Sequence, residues 1–230
     1  MKVLRSWLVL GIASATLMLF SLSPASALQF WITKAGETTP ITELVVAPGE
    51  SFTLSVWIQH SPERVQGIEV MFGYDRATSM GAAATPLDNK IVLDGTLGTA
   101  VIQGLSELGP PLKTLEGARG SGTNPRPYGV RYFVLSATAK ADVSAGAKVF
   151  DIKLKNQGLM PGDSPYTLYI WDFGSGASRT TLATLETGQT IRPGGSYTLN
   201  LVPVPEPGSL LALTTGVVGL AGMALRRRRA

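Results

Sequence analysis

The amino-acid sequence predicts an all-β, jelly-roll-like β-sandwich ectodomain, preceded by a cleavable N-terminal signal helix and followed by one C-terminal transmembrane helix. Three observations carry this expectation. Apolar and polar residues alternate over several interior stretches, turn-forming residues punctuate those stretches at short intervals, and an uncharged apolar run sits near each end of the chain. Alternation at period two is the mark of a strand with one buried face. No interior segment shows a sustained 3.6-residue apolar period, so helices are not expected to contribute to the core.

In chain order, residues 28–33 read as an edge strand at the start of the domain. Residues 51–60 alternate strictly, with Phe52, Leu54, Val56 and Ile58 facing one way and Ser51, Thr53, Ser55 and Trp57 the other. Residues 66–72 repeat the pattern, with Ile68, Val70 and Phe72 opposite Gly67, Glu69 and Met71. Residues 128–138, 148–156, 165–173 and 196–202 are further strands. Between them lie Pro48-Gly49, Ser61-Pro62, Asp94-Gly95, residues 144–146, Pro161-Gly162-Asp163 and Pro193-Gly194-Gly195, all turn chemistry. Many short strands with such turns form two sheets packed face to face. Residues 104–129 are expected to be the least regular part, a long Pro- and Gly-rich connection in which Arg119, Arg126 and Tyr128 are candidate ligand contacts, a solvated insertion being the competing reading. Residues 80–85 read as a loop or a single helical turn.

The ends carry addresses. Lys2 and Arg5 precede an apolar stretch over residues 7–22, and Ala25 and Ala27 form a small-residue cleavage site, so residues 1–27 read as a secretory signal peptide cut after Ala27. At the other end Pro205, Glu206, Pro207 and Gly208 precede an uncharged run over residues 209–225, and Arg226, Arg227, Arg228 and Arg229 follow it. As a helix that run would span about 26 Å, the short end of what crosses a bilayer. The prolines make the preceding strip stiff and non-helical. The arginines stay on the cytoplasmic side, which places residues 28–203 outside the cytoplasm.

This three-part tail, residues 204–230, resembles the PEP-CTERM sorting signal. The resemblance implies recognition and processing by an exosortase, membrane retention until then, and association with extracellular polysaccharide or biofilm. A weaker resemblance lies in residues 45–56, with Pro48-Gly49-Glu50 leading into a long strand, and in residues 68–75, ending in Tyr74-Asp75. These stretches are similar to the opening of a cohesin-type domain, a jelly roll related to carbohydrate-binding modules. Nothing in the sequence indicates a dockerin partner.

Charge bounds the partners. The chain has 20 Lys+Arg against 16 Asp+Glu, a net of +4. Six of the bases and one acid belong to the two terminal segments, which leaves 14 bases and 15 acids in residues 28–203, a net of −1. The positive balance belongs to the addresses, and no basic patch points to nucleic acid. With no cysteine, thiol catalysis and thiolate metal sites are excluded, and a domain of this size holds a core without disulfides.

Catalytic and metal chemistry find little support, and no cofactor is expected. His60 is the sole histidine, so a Ser-His-Asp site would have to use it. Without a nucleophile motif it reads as a surface turn residue. Asp88, Asp94 and Asp163 lack the alternate-residue spacing of a calcium loop and read as turn caps. Trp57, Tyr169 and Trp171 alternate with inward aliphatics and are candidates for stacking on sugar rings from an outer sheet face. The alternative is packing against covering loops. The expected function is that of a non-enzymatic exported cell-surface protein sorted by its tail, the alternative being a polysaccharide-binding or cohesin-like protein-binding module.

Overall fold

The computed structural model describes residues 27–74, 90–116, 128–172 and 180–204. They form a two-sheet sandwich. The first sheet has β1 (Gln29–Lys34) at its edge, paired antiparallel to β3 (Ser51–Gln59), which pairs with β9 (Ala147–Asn156). Two short strands, β5 (Ile91–Leu93) and β6 (Val101–Gln103), share the far side of β9. The second sheet is built around β4 (Val65–Tyr74). On one side β4 pairs with β8 (Tyr128–Leu135), which carries β7 (Leu112–Glu116) at the edge. Its other side is divided between β11 (Leu182–Leu185) and β10 (Tyr166–Ile170). β12 (Thr190–Ile191) caps β11, and β10 continues to β13 (Tyr197–Pro203) and then β2 (Glu43–Val46). The pairing of β13 with β2 is parallel, the others antiparallel.

The seven expected strands are all present as β1, β3, β4, β8, β9, β10 and β13. Alternation works as read on β3, where Leu54, Val56 and Ile58 are fully buried and Phe52 packs on the core from its rim. Two expectations need correction. Gly67, Glu69 and Met71 are buried as well as Ile68, Val70 and Phe72, because β4 is central and neighbouring strands shield its outer face. Glu69 lies beside Phe133 and Leu182 in register, and Arg131 Nε reaches its Oε1 at 2.6 Å while the guanidinium sits 5.3 Å from the Phe133 ring centroid. Residues 104–129 are also more regular than expected, since β7 occupies their middle. The helical content described is one turn, α1 (Leu97–Ala100), and a short 3-10 turn over Ser106–Leu108.

The inner faces meet in one core. Tyr132 stacks on Phe150 (centroids 4.8 Å), and Phe72 meets Phe150 edge-on. Burial alone pushes the Tyr132 phenol far above its ordinary pKa. Gly129 is required where β8 crosses β4, because a Cβ there would collide with the Phe72 carbonyl oxygen.

One end of the sandwich is locked by a buried amide. Asn156 is fully buried; its Nδ2 donates to the carbonyls of Ala47 and Leu159, both at 2.9 Å, and its Oδ1 accepts the Leu159 N–H at 2.8 Å. Gly49 and Asn156 add main-chain bonds between the same segments, Gly49 N to Asn156 O and Asn156 N to Glu50 O. The side chain thus fastens the β2–β3 turn and the loop after β9 to each other. Asn156→Ala leaves the Leu159 N–H and C=O without partners and removes one of the two bonds to Ala47 O, and the expected loss is about 3 kcal/mol, read as a lower urea midpoint at unchanged slope.

Candidate functional site

The tail-bearing end is fixed by β13. Its last residue, Pro203, lies beside Val46, and Val204 N donates to Val46 O at 3.2 Å. Val204 is the last described residue, so the fold runs up to the residue before Pro205 with no spacer between strand and motif. Pro205, Glu206, Pro207, Gly208, the 209–225 run and Arg226, Arg227, Arg228 and Arg229 lie outside the described residues. Among the described residues no helix is long and apolar enough to cross a membrane. Ala25 is likewise outside them. Ala27 is exposed and Leu28, directly after the expected cut, is 2% exposed and part of the core.

The three aromatic candidates do not converge. Trp57 belongs to β3 on the outer face of the first sheet, whereas Tyr169 and Trp171 lie on the outer face of the second. Tyr169 and Trp171 stack on each other with centroids 4.2 Å apart and planes tilted by 26°. The alternation of β10 produces this: Leu168 and Ile170 are buried inward, which turns Tyr169 outward. Tyr169 is in register with Gly73 of β4, which in turn faces Gly129 of β8. Two glycines are thus level with Tyr169 across β4 and β8.

Trp57 has a partner that the sequence did not announce. Trp31 of β1 is its register neighbour, and the rings lie nearly parallel (10°) with centroids 6.1 Å apart. Trp57 Nε1 donates to Thr33 Oγ1 at 2.9 Å, which fixes its ring against the sheet. Trp31 also helps line a cleft of about 340 Å³ with Phe30, Pro40, Pro193 and Tyr197, along the outer edge of β1. The Tyr197 hydroxyl donates to Ile41 O at 2.6 Å and holds the wall of the cleft. Outward parity on β1 was the available signal for Trp31; its pairing with Trp57 depends on register.

The remaining candidates separate. His60 is not at the surface: it is 3% exposed, with Glu63 Oε2 3.8 Å from Nε2 and no hydrogen bond to either ring nitrogen among the described residues. Its burial follows from its N–H bonding to Val143 O across the sandwich end. Asp163 caps its turn, as read: it accepts the Met160 N–H at 2.8 Å and pairs with Lys90 at 2.9 Å, and the Met160 N–H, then Lys90, hold its carboxyl below the usual range. Asp94 lies in the bend after β5, and Asp88, Arg119 and Arg126 fall outside the described residues. Tyr128 opens β8 opposite Tyr74. Among the described residues no group of three or more His, Asp or Glu is placed to hold a metal ion.

Comparison with solved structures finds similar folds at low identity. A non-cellulosomal cohesin from the hyperthermophilic archaeon Archaeoglobus fulgidus is 12% identical, with 80% of this chain and 97% of that one covered and a TM-score of 0.37. A type II cohesin domain from the cellulosome of Acetivibrio cellulolyticus is 19% identical over 77% of this chain and 96% of that one, with a TM-score of 0.38. A DUF4466 family protein from Parabacteroides merdae is 12% identical over 77% of this chain and 46% of that one, with a TM-score of 0.29. No curated protein matches the sequence. The model of the PEP-CTERM protein-sorting motif matches residues 203–229, so the match begins on the last residue of β13. The chain carries a PEP-CTERM sorting signal and is thereby marked as an exported, cell-surface-associated substrate of an exosortase.

Proposed function

We propose that the protein is a non-enzymatic component of the extracellular polysaccharide or biofilm matrix, held in the membrane by residues 209–225 until an exosortase acts near Pro205, Glu206 and Pro207. The observation that carries this reading is the match of the sorting motif to residues 203–229, directly after the last strand. A signal peptide over residues 1–27 supplies export, and the arginine cluster supplies retention against translocation. Replacing Pro205, Glu206 and Pro207 together by Ala is expected to leave the full-length tail on the protein in cell fractions. Normal processing of that variant, seen as an unchanged mass, counts against the sorting role.

A second reading rests on the Tyr169–Trp171 stack. A half-buried aromatic pair on an outer sheet face is the kind of surface on which a sugar ring lies flat. Trp57, on the opposite sheet, belongs to a separate surface with Trp31. In affinity gels containing the host's own polysaccharide, residues 28–204 are expected to migrate more slowly than in plain gels. Tyr169→Ala should weaken that retardation about fivefold, for a contact worth about 1 kcal/mol. Identical mobility in every polysaccharide tested would make the pair structural.

A further inference from the structure

We propose that, before processing, the end of the sandwich formed by the 47–50 turn and the 157–163 loop lies against the lipid headgroups; this rests on the membrane-retention reading above. The first support is where the chain leaves the fold. Val204 is bonded to Val46, and Ala47 follows Val46 directly, so the tail departs beside the 47–50 turn. Asn156 joins that turn to Leu159, which brings the 157–163 loop to the same end. Four residues, Pro205 to Gly208, separate Val204 from the apolar run. Fully extended, the chain from Val204 to Ser209 spans at most about 18 Å. The nine-residue β3 alone rises about 30 Å along the sandwich. The tether is therefore shorter than the domain is long, and the opposite end cannot take the place nearest the membrane. Two prolines in the tether stiffen it further.

The second support is the chemistry of this end. Met160 at the loop tip is 52% exposed, and Val45 of β2, close by, is also 52% exposed. Among the described residues, the carboxylates at this end are engaged within the fold: Glu50 Oε2 accepts the Ala47 N–H at 2.6 Å, and Asp163 is held by Met160 N–H and Lys90. Lys155, in register with Ser51 at the start of β3, is exposed. An exposed thioether flanked by lysine suits the headgroup boundary, where an apolar tip inserts and an ammonium stays in the wet layer. The opposite end carries Arg64 and Lys140 ion-paired around Glu186, with Leu135 exposed beside them, so the length of the tether and not surface apolarity distinguishes the two ends.

The chain has no cysteine, so a single introduced thiol reports one position. Met160→Cys and Thr138→Cys place a fluorophore at the tail end and at the opposite end, each on the tail-bearing protein purified from cells lacking an exosortase. In vesicles of phosphatidylcholine with a minority of phosphatidylglycerol and headgroup-quencher lipid, quenching is expected to be severalfold stronger at position 160 than at 138. A Gly-Ser insertion of about ten residues after Val204, adding roughly 17 Å of mean reach, should reduce the difference. Equal quenching at the two positions in protein that floats with the vesicles overturns this inference alone. Failure of the protein to float overturns membrane retention as well.

Discussion

The structure depends on the position of β13. It is the last strand in the sequence, yet it lies inside the second sheet, between β10 and β2. Interior strands are bonded on both sides, so Leu199 and Leu201 are fully buried and Pro203 closes the row beside Val46. The pairing with β2 joins residues more than 150 positions apart in the chain, in parallel. Such a contact carries a loop-closure cost that local pairings do not. The sheet cannot be completed until the residues directly before the sorting motif have emerged. Folding of the domain and presentation of the motif are thus consequences of the same strand.

That dependence runs through the end of the sandwich to Asn156. A buried amide with its partners satisfied fixes one arrangement of its neighbours, since any other leaves main-chain groups dry and unpaired. Here the neighbours are the turn that follows β2 and the loop that follows β9. β2 is a four-residue edge strand, and its register against β13 is steadied by the knot at its C-terminal end. The outer face of the second sheet is divided in the same structural terms. Around β4 and β8 it is crowded by Glu69, Arg131 and Phe133, which leaves little surface for a partner. Toward β10 the same row of strands carries Gly73 and Gly129 level with Tyr169.

The long strands were legible because they repeat. β3 and β9 each offer four or five cycles of alternation, and the turns between strands have distinctive residues. β5, β6 and β12 are two or three residues long, too short to show a period, and exist because β9 and β11 offer unpaired edges. β7 was hidden by the prolines and glycines around it. The two-sided burial of β4 was not legible, since alternation reports the strand's own residues and not what flanks them. Nor was the burial of His60, which depends on Val143, or the Trp31–Trp57 stack, which depends on the β1–β3 register. The sorting motif was legible for the opposite reason. A translocation apparatus and a membrane read composition along the chain, with no tertiary contact required.

The two ends of the domain also bear on each other. Gln29 pairs with Gln59 at one end of the first sheet, and Val204 is tied to Val46 at the other end of the sandwich. The chain therefore enters and leaves at positions separated by about 30 Å, the length of β3. Only residues 23–27 link Leu28 to the N-terminal apolar stretch, a reach of at most about 22 Å. If both apolar segments stayed in one bilayer, the folded sandwich could not stand with its tail end down and would be forced onto its side. A cut after Ala27, as the sequence leads one to expect, would remove that constraint at the boundary where exposed Ala27 gives way to buried Leu28. On the membrane-retention reading, signal removal would leave a single point of attachment, at β13, and let the domain stand on the end from which the sorting motif emerges.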